Sequence, residues 1–397
     1  MDVRTIFRVK VSLILIGFTA AIAQIVLLRE LLVVFYGNEI SIGMMLASWL
    51  FWTALGSRLA GRLTRPAQNP YRMMACVQTL IALVLPATIL AVRSARTLLR
   101  TVPGEVLGPG LVLLTSLGIL AIFCMLSGTL FTVGSALYAA GAGTPTGQAT
   151  GSVYLWEALG SALGGILAGV MLIRYLGSIE IALLLSFLNL LVATSIAFRA
   201  GWLRRATIAA MLGTSALLIL TGGPPVLERM SQEGLWRGFH LIATRNSVYG
   251  NLAVVGTEGS RSVYENGVVL FHAPDPEAAE EAVQYALLEH PAPRSLLLIG
   301  GGINGSISQA LQHRSLERID YVEIDPAILA LAQEYFPQEW LPIKSDHRVR
   351  VHVTDGRLFL KTTGSTFDVS IVNLPDPQTA QLNRNRIFSP CLRNSKV

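Results

Sequence analysis

Four short motifs in the C-terminal part of the chain carry residue types and spacings suited to chemistry. The first is Gly300-Gly301-Gly302-Ile303-Asn304-Gly305, which fits G-x-G-x-x-G. An apolar run, Ser295–Gly300, precedes it, and the pattern predicts a helix over 304–313 after it. Glycines allow a tight turn and close approach of a ligand to the backbone. The free N–H groups of the helix that follows face that ligand. The second is Glu323, which ends the next predicted strand 23 positions after Gly300. A carboxylate there can accept two hydrogen bonds from ribose hydroxyls. The third and fourth are Asp355-Gly356 and Asn373-Leu374-Pro375-Asp376-Pro377, each after a further strand. Ligands of open α/β sheets sit outside the carboxyl ends of the strands. Asp355 is therefore placed to hydrogen-bond an adenine amine, and Asn373 and Asp376 face the reacting group. Together the motifs point to a ligand that carries a nucleoside, although a dinucleotide fold uses the same loop.

The elements that must position these residues follow from the pattern around them. Strands are expected over 295–300, 318–323, 349–354 and 367–372, with helices over 304–313 and 327–335. Such alternation means a parallel, doubly wound α/β sheet. Upstream, 241–272 alternates Val, Leu and Tyr with Glu-Gly and Asn-Gly turns, the pattern of β-hairpins. A helix over 274–290 with acidic first turns joins the two parts.

The first half of the chain is of another kind. The whole sequence is 52% hydrophobic and only 14% charged, with mean hydropathy +0.53. Soluble domains carry about 25% charged residues, so part of this chain lives in lipid. Apolar runs near 11–35, 40–60, 72–92, 110–140, 152–173, 178–198 and 205–221 are long enough to span, which predicts a bundle of about seven helices. The last run is the shortest. Residues 1–221 hold 15 Lys+Arg and 6 Asp+Glu, a net of +9, whereas residues 222–397 hold 16 and 19, a net of −3. The basic residues lie in short loops, where they orient helices and give no case for nucleic-acid binding. With the N-terminus inside, ten basic residues fall in inside loops. Four (Arg93, Arg96, Arg100 and Arg174) fall outside. Seven crossings then place the soluble half outside; if 205–221 lies at the surface, it is inside.

Gly160/Gly164 and Gly165/Gly169 form small-xxx-small pairs for close helix packing. Gln24, Arg29, Glu30 and Glu157 are polar residues within spans, expected either near the interfaces or in a polar cluster with a transport role. The three cysteines, Cys76, Cys124 and Cys391, form no CxxC or Cys/His pattern, and no metal is expected. The N-terminus lacks a cleavage site and reads as a first spanning helix.

GGGINGS, YVEIDP, VTDG and NLPDP, in this order and spacing, resemble the spermidine synthase (polyamine aminopropyltransferase) family, a branch of the S-adenosylmethionine methyltransferase fold. The resemblance covers about 240–390, and 241–272 is similar to that family's small N-terminal β domain. The first helices resemble bacterial membrane proteins that fuse a helical bundle to such a domain. The resemblance implies that Gly300, Gly301 and Gly302 form the nucleoside turn, that Glu323 binds ribose, that Asp355 binds adenine, and that Asp376 sits at the amine end of the pocket. It implies S-adenosylmethionine or its decarboxylated form as donor.

The chain also departs from the family pattern. Ile303 and Asn304 replace the Asp-Gly of GGGDGG, and Asn373 stands where the family has its catalytic Asp. The family's Tyr-Gln is Tyr249-Gly250, and its Tyr-His-Glu aligns with Gln284-Tyr285-Ala286. The donor side is kept and the acceptor side is largely lost.

The expected architecture is thus a transmembrane helical domain (1–222), a linker and β-hairpin domain (223–275), and a Rossmann-like domain (276–397) that is short at its C-terminal side relative to the family. Three readings remain open: a membrane-tethered aminopropyl or methyl transferase, a nucleoside-sensing module that governs the bundle, and a transporter with an accessory soluble half. The expected location is the bacterial cytoplasmic membrane, N-terminus in the cytoplasm. The partners are the bilayer, a small nucleoside donor, an unidentified acceptor amine and a possible second copy of the chain.

Overall fold

In the computed structural model, residues 3–374 are described, apart from 36–38, 64–69, 101–106, 143–145, 198–200, 221 and 258. The chain divides into two compact units, Met1–Arg237 and Gly238–Val397.

The first unit is helical: α1 (Val3–Phe35), α2 (Glu39–Leu63), α3 (Pro70–Leu99), α4 (Pro109–Ala142), α5 (Thr146–Leu167, carried on to Tyr175 through a π-turn), α6 (Ser178–Ile196), α7 (Trp202–Leu220) and α8 (Gly223–Leu235). Six helices, from α1 to α6, are long and apolar enough to cross a membrane. The seventh predicted span is α7, which meets α8 at a bend of 78°. The 223–237 stretch, expected to be linker, belongs to this unit and is largely helical. Its Pro224-Pro225 opens a helix, where the missing N–H costs nothing, and so does not end the helical unit.

Close backbone approach sets two helix crossings. A Cβ on Gly160 would strike the Ile14 carbonyl, and one on Gly17 would strike the Glu157 carbonyl, so α1 and α5 meet at glycine. Gly56 and Gly128 do the same for α2 and α4. Gly165 and Gly169, expected to form a second small-residue pair, have nothing within 4 Å of an added Cβ. Inside the bundle, buried Ser12, Gln78, Asn189 and Thr19 form a hydrogen-bonded chain across α1, α3 and α6, with Asn189 Nδ2 donating to Thr19 Oγ1 at 2.8 Å. Apolar lipid gives helices little reason to associate, so such bonds and small-residue contacts supply the specificity.

The second unit opens with an antiparallel meander: β1 (His240–Asn246), β2 (Asn251–Thr257), β3 (Ser260–Glu265) and β4 (Val268–Ala273). The β3–β4 turn is Asn266-Gly267, both residues with positive φ, as a two-residue hairpin turn requires. Then come α9 (Pro276–Glu289), β5 (Ser295–Ile299), α10 (Ser306–Ala310), β6 (Arg318–Glu323), α11 (Pro326–Tyr335), α12 (Pro337–Ser345), β7 (Val349–Val353), α13 (Gly356–Thr362) and β8 (Val369–Val372). β5 to β8 form one parallel sheet in the order β7-β6-β5-β8. β5 is apolar almost throughout because helices cover both of its faces; Leu296, Leu297 and Leu298 are all fully buried.

The strands lie where expected, to within one or two residues. The helix predicted over 304–313 does not form as one element. A 3₁₀ turn (Gly302–Asn304) and the five-residue α10 replace it. Gly305, at φ 104°, breaks the run between them. α12 and α13 have no counterpart in the pattern of the sequence. The Pro at the start of α12 and inside it obscured the first, and the second is only two turns long.

Candidate functional site

The strand order places a topological switch point at β5, with β6 on one side and β8 on the other. The crevice of a doubly wound sheet opens there, beyond the carboxyl ends of the strands. Both chain segments that border the switch carry predicted site residues.

Leaving β5, Gly300 and Gly301 take φ of 71° and 63°, a region that L side chains rarely adopt. Space excludes side chains as well. A Cβ on Gly301 would lie 2.6 Å from Asn373 Cγ, and one on Gly300 would lie 2.8 Å from the Asn373 carbonyl oxygen. A Cβ on Gly302 would lie 2.7 Å from the Tyr321 ring. The glycine turn is thus pressed between the end of β8 and a β6 side chain. Two backbone bonds fix it, Gly300 N–H to the Val322 carbonyl and Asn373 N–H to the Ile299 carbonyl, both 2.9 Å. Asn304 Oδ1 accepts the Ser306 N–H at 3.0 Å and the Ser306 hydroxyl. The side chain in place of the family Gly therefore caps α10 itself.

Glu323 ends β6 and is 7% exposed. One carboxylate oxygen accepts N–H groups from Ile324 (2.9 Å) and Asp325 (3.3 Å); the other accepts the Tyr321 hydroxyl at 2.9 Å. Burial raises its pKa, partly offset by those hydrogen bonds, and the neighbouring Asp325 charge raises it further. The Tyr321 phenol is pushed well above its usual value by burial and by Glu323, and it also takes a hydrogen bond from the Gly302 backbone. Tyr321 therefore links the glycine turn to the Glu323 carboxylate. It lies two residues before Glu323 on one strand, hence on the same face. That period-2 relation was available in the sequence.

Two further residues join this cluster. Asp325 caps α11 through the Ala327 N–H (2.9 Å) and accepts the Ser247 hydroxyl at 2.6 Å, which ties the β1–β2 turn to the site. Glu265, the last residue of β3, faces the same carboxylates. Burial first, then Asp325 and Glu323, push its pKa up to about 7. It reads in sequence as an ordinary turn residue, since no local signal says which strand end the meander folds against. Because the folded pKa is raised, its proton stabilises the fold fully below the ordinary carboxylate range. That stability is lost as pH rises through about 7. Glu265→Gln is expected to raise the melting temperature at pH 8 and to leave it nearly unchanged at pH 4, read by thermal unfolding across that range.

Asp355 follows β7 as expected. Its carboxylate caps α13, accepting N–H from Arg357 (2.8 Å) and Leu358 (3.2 Å), and pairs with the Arg357 guanidinium at 3.1 Å. Partial burial works against the charge, but the Arg357 and backbone bonds outweigh it and hold the pKa below the usual range. Asn373 packs on the glycine turn as described. Asp376 lies outside the described residues, and so does Cys391. Tyr249 and Gly250 lie in the β1–β2 turn, where a Cβ on Gly250 would meet the end of the Asn266 side chain. Gln284 Oε1 contacts His313 Nε2 at 2.6 Å on the α9 side. The structure thus brings Gly300–Gly302, Asn373, Tyr321 and Glu323 together.

Residues 277–392 match the family model described as the spermine/spermidine synthase domain. The chain is 27% identical over 264 residues to a polyamine aminopropyltransferase of Oceanobacillus iheyensis, covering 64% of this chain and 51% of that one. That share is larger than the C-terminal unit alone can supply, so the similarity reaches into the helices. It is 36% identical over 91 residues to the polyamine aminopropyltransferase of Methanocaldococcus jannaschii (23% and 31%) and 31% identical over 151 residues to polyamine aminopropyltransferase 1 of Pseudomonas aeruginosa (38% and 50%). The chain spans about half or less of the length of these relatives. A crystal structure of spermidine synthase in complex with the transition state analogue AdoDATO superposes with TM-score 0.33 at 22% identity, covering 35% of this chain and 48% of that one. The C-terminal unit is spermidine synthase-like in sequence and carries a Rossmann-like parallel sheet.

Proposed function

We propose that the C-terminal unit binds an S-adenosyl nucleoside at the β5/β8 switch point, as a membrane-anchored aminopropyltransferase-type domain whose transfer chemistry is weak. The nucleoside part rests on one observation above the rest. The buried Glu323 carboxylate is wired through Tyr321 to a glycine turn too crowded for any side chain. Ribose hydroxyls would be held by Glu323 and the adenine amine by Asp355. Decarboxylated S-adenosylmethionine fits the family resemblance; S-adenosylmethionine shares the same nucleoside.

The weak-transfer part rests on Asn373. In aminopropyl transfer an amine nitrogen attacks the methylene next to the sulfonium, the C–S bond breaks, and the thioether leaves. The attacking nitrogen must first lose a proton. A neutral amide accepts a hydrogen bond but takes up no proton near neutral pH. Asn373 also supplies no negative charge to hold a diammonium acceptor. The same loss favours a second reading, in which the unit senses a nucleoside and does not consume it.

The pure protein is expected to make no spermidine from putrescine and decarboxylated S-adenosylmethionine. Asn373→Asp is expected to raise transfer by about 10²-fold or more, the lower end of the roughly 10²–10⁴-fold typical of a positioned base. Product chromatography reads both. Robust spermidine formation by the unmodified protein would refute the weak-transfer reading.

A further inference from the structure

Glu30 near the end of α1, Arg93 near the end of α3, and Glu228 and Ser231 on α8 form one ion cluster. Arg93 is 2% exposed. Its guanidinium donates to both Glu30 oxygens at 2.8 Å, to Glu228 Oε1 at 2.6 Å and to Ser231 Oγ at 2.5 Å. The other Glu228 oxygen accepts the Ile179 N–H at 3.0 Å, in the first turn of α6. A Cβ on Gly177, just before α6, would lie 2.9 Å from the Glu228 carboxyl carbon. α8 is therefore seated where α1 and α3 end and α6 begins.

This fixes the parity of the bundle. α6 runs from that end to the other. α7 leaves the far end and packs back along α6, and its 19 residues, about 28 Å of helix, are enough to return. α7 must return, because α8 begins at Gly223 and already touches the α6 N-terminus. The chain has then crossed seven times when it leaves the bundle. α1 starts at the opposite face.

The structure also alters the charge balance that orients the bundle. Four basic residues belong to the α8 end in the sequence reading. Arg93 is spent in the buried cluster, and Arg96 donates to the Val34 and Val33 carbonyls at the end of α1 (3.0 and 2.5 Å). Such residues are structural and do not mark a cytoplasmic loop. Arg100 and Arg174 remain, with Arg229 and Arg237 on and just after α8, which makes four against ten at the N-terminal face. The face rich in loop Lys and Arg is the cytoplasmic one.

We propose that residues 238–397 lie in the compartment opposite the N-terminus, outside the cytoplasm, and that the site therefore meets a purine nucleoside that reaches that compartment. Only the ligand clause rests on the proposed nucleoside site; the sidedness rests on the bundle. The reactions that supply the ligand are then ones that release or export nucleosides.

The test is single-cysteine labelling of the full chain in intact cells with a membrane-impermeant maleimide, all native cysteines first replaced. Leu288→Cys and Leu341→Cys mark the soluble unit at exposed positions (71% and 62%), and Phe7→Cys (66%) marks the N-terminal face. The expected result is labelling of the first two in intact cells and of Phe7→Cys only after permeabilisation. Two soluble-unit markers keep the test valid if one variant fails to fold. The reverse pattern would overturn the outside assignment. Labelling of all three from one side would overturn the seven crossings. Nucleoside binding by the same purified variants reads the site separately, so loss of one claim leaves the other standing.

Discussion

Glu323→Ala is expected to weaken binding of any adenosyl ligand by more than tenfold. Hydrogen bonds to a charged group contribute about 1.5–3 kcal/mol, which is roughly 10- to 150-fold in affinity. The carboxylate also holds the Ile324 and Asp325 N–H groups and the Tyr321 hydroxyl, so its removal frees three donors at once, two of them buried. Glu323→Gln separates the two roles. It keeps the shape and one acceptor oxygen but gives up the charge. It is expected to fold like the parent and still bind the nucleoside at least several-fold more weakly. Calorimetry on both variants, with circular dichroism as the fold control, reads the difference. Unchanged affinity in Glu323→Gln would mean that the carboxylate serves the turn and not a ligand.

The second large effect lies in the bundle. Arg93→Ala is expected to destabilise the helical unit by about 3–5 kcal/mol, because it removes the guanidinium that bridges Glu30 and Glu228. Removing all three charges together, as Glu30→Gln, Arg93→Met and Glu228→Gln, is expected to cost much less, since none of the three then leaves a charged partner behind in the cluster. Thermal unfolding in detergent distinguishes the two. A single Arg93→Ala variant as stable as the parent would show that the cluster is not what seats α8.

Much of this molecule was legible in the sequence, for physical reasons that differ along the chain. The parallel sheet was readable because the central β5 is buried on both faces and reads as an apolar run, while the other strands stand between turn signals and helical stretches. The placement of Glu323, Asp355 and the glycine turn was readable because each sits at the carboxyl end of a predicted strand. Tyr321 was missed although its spacing from Glu323 pointed to it. Glu265 was not readable, since only the fold of the meander brings its strand end to β6. The helix after the glycine turn was over-read: Gly305 at positive φ divides it. In the membrane half the spans followed from length and apolarity. The partner of Glu30 did not, because Arg93 and Glu228 lie 63 and 198 positions away. Their pairing places Glu30, one of the polar residues singled out within the spans, in an ion cluster with Arg93 and Glu228. It also turns the proline pair after the last span into the start of another helix.

The most direct measurement is a calorimetric titration of the detergent-purified protein with S-adenosylmethionine, its decarboxylated form and methylthioadenosine. The account predicts micromolar binding of at least one of them, lost in Glu323→Ala. No binding of any of the three, in protein that unfolds cooperatively on heating, would contradict it.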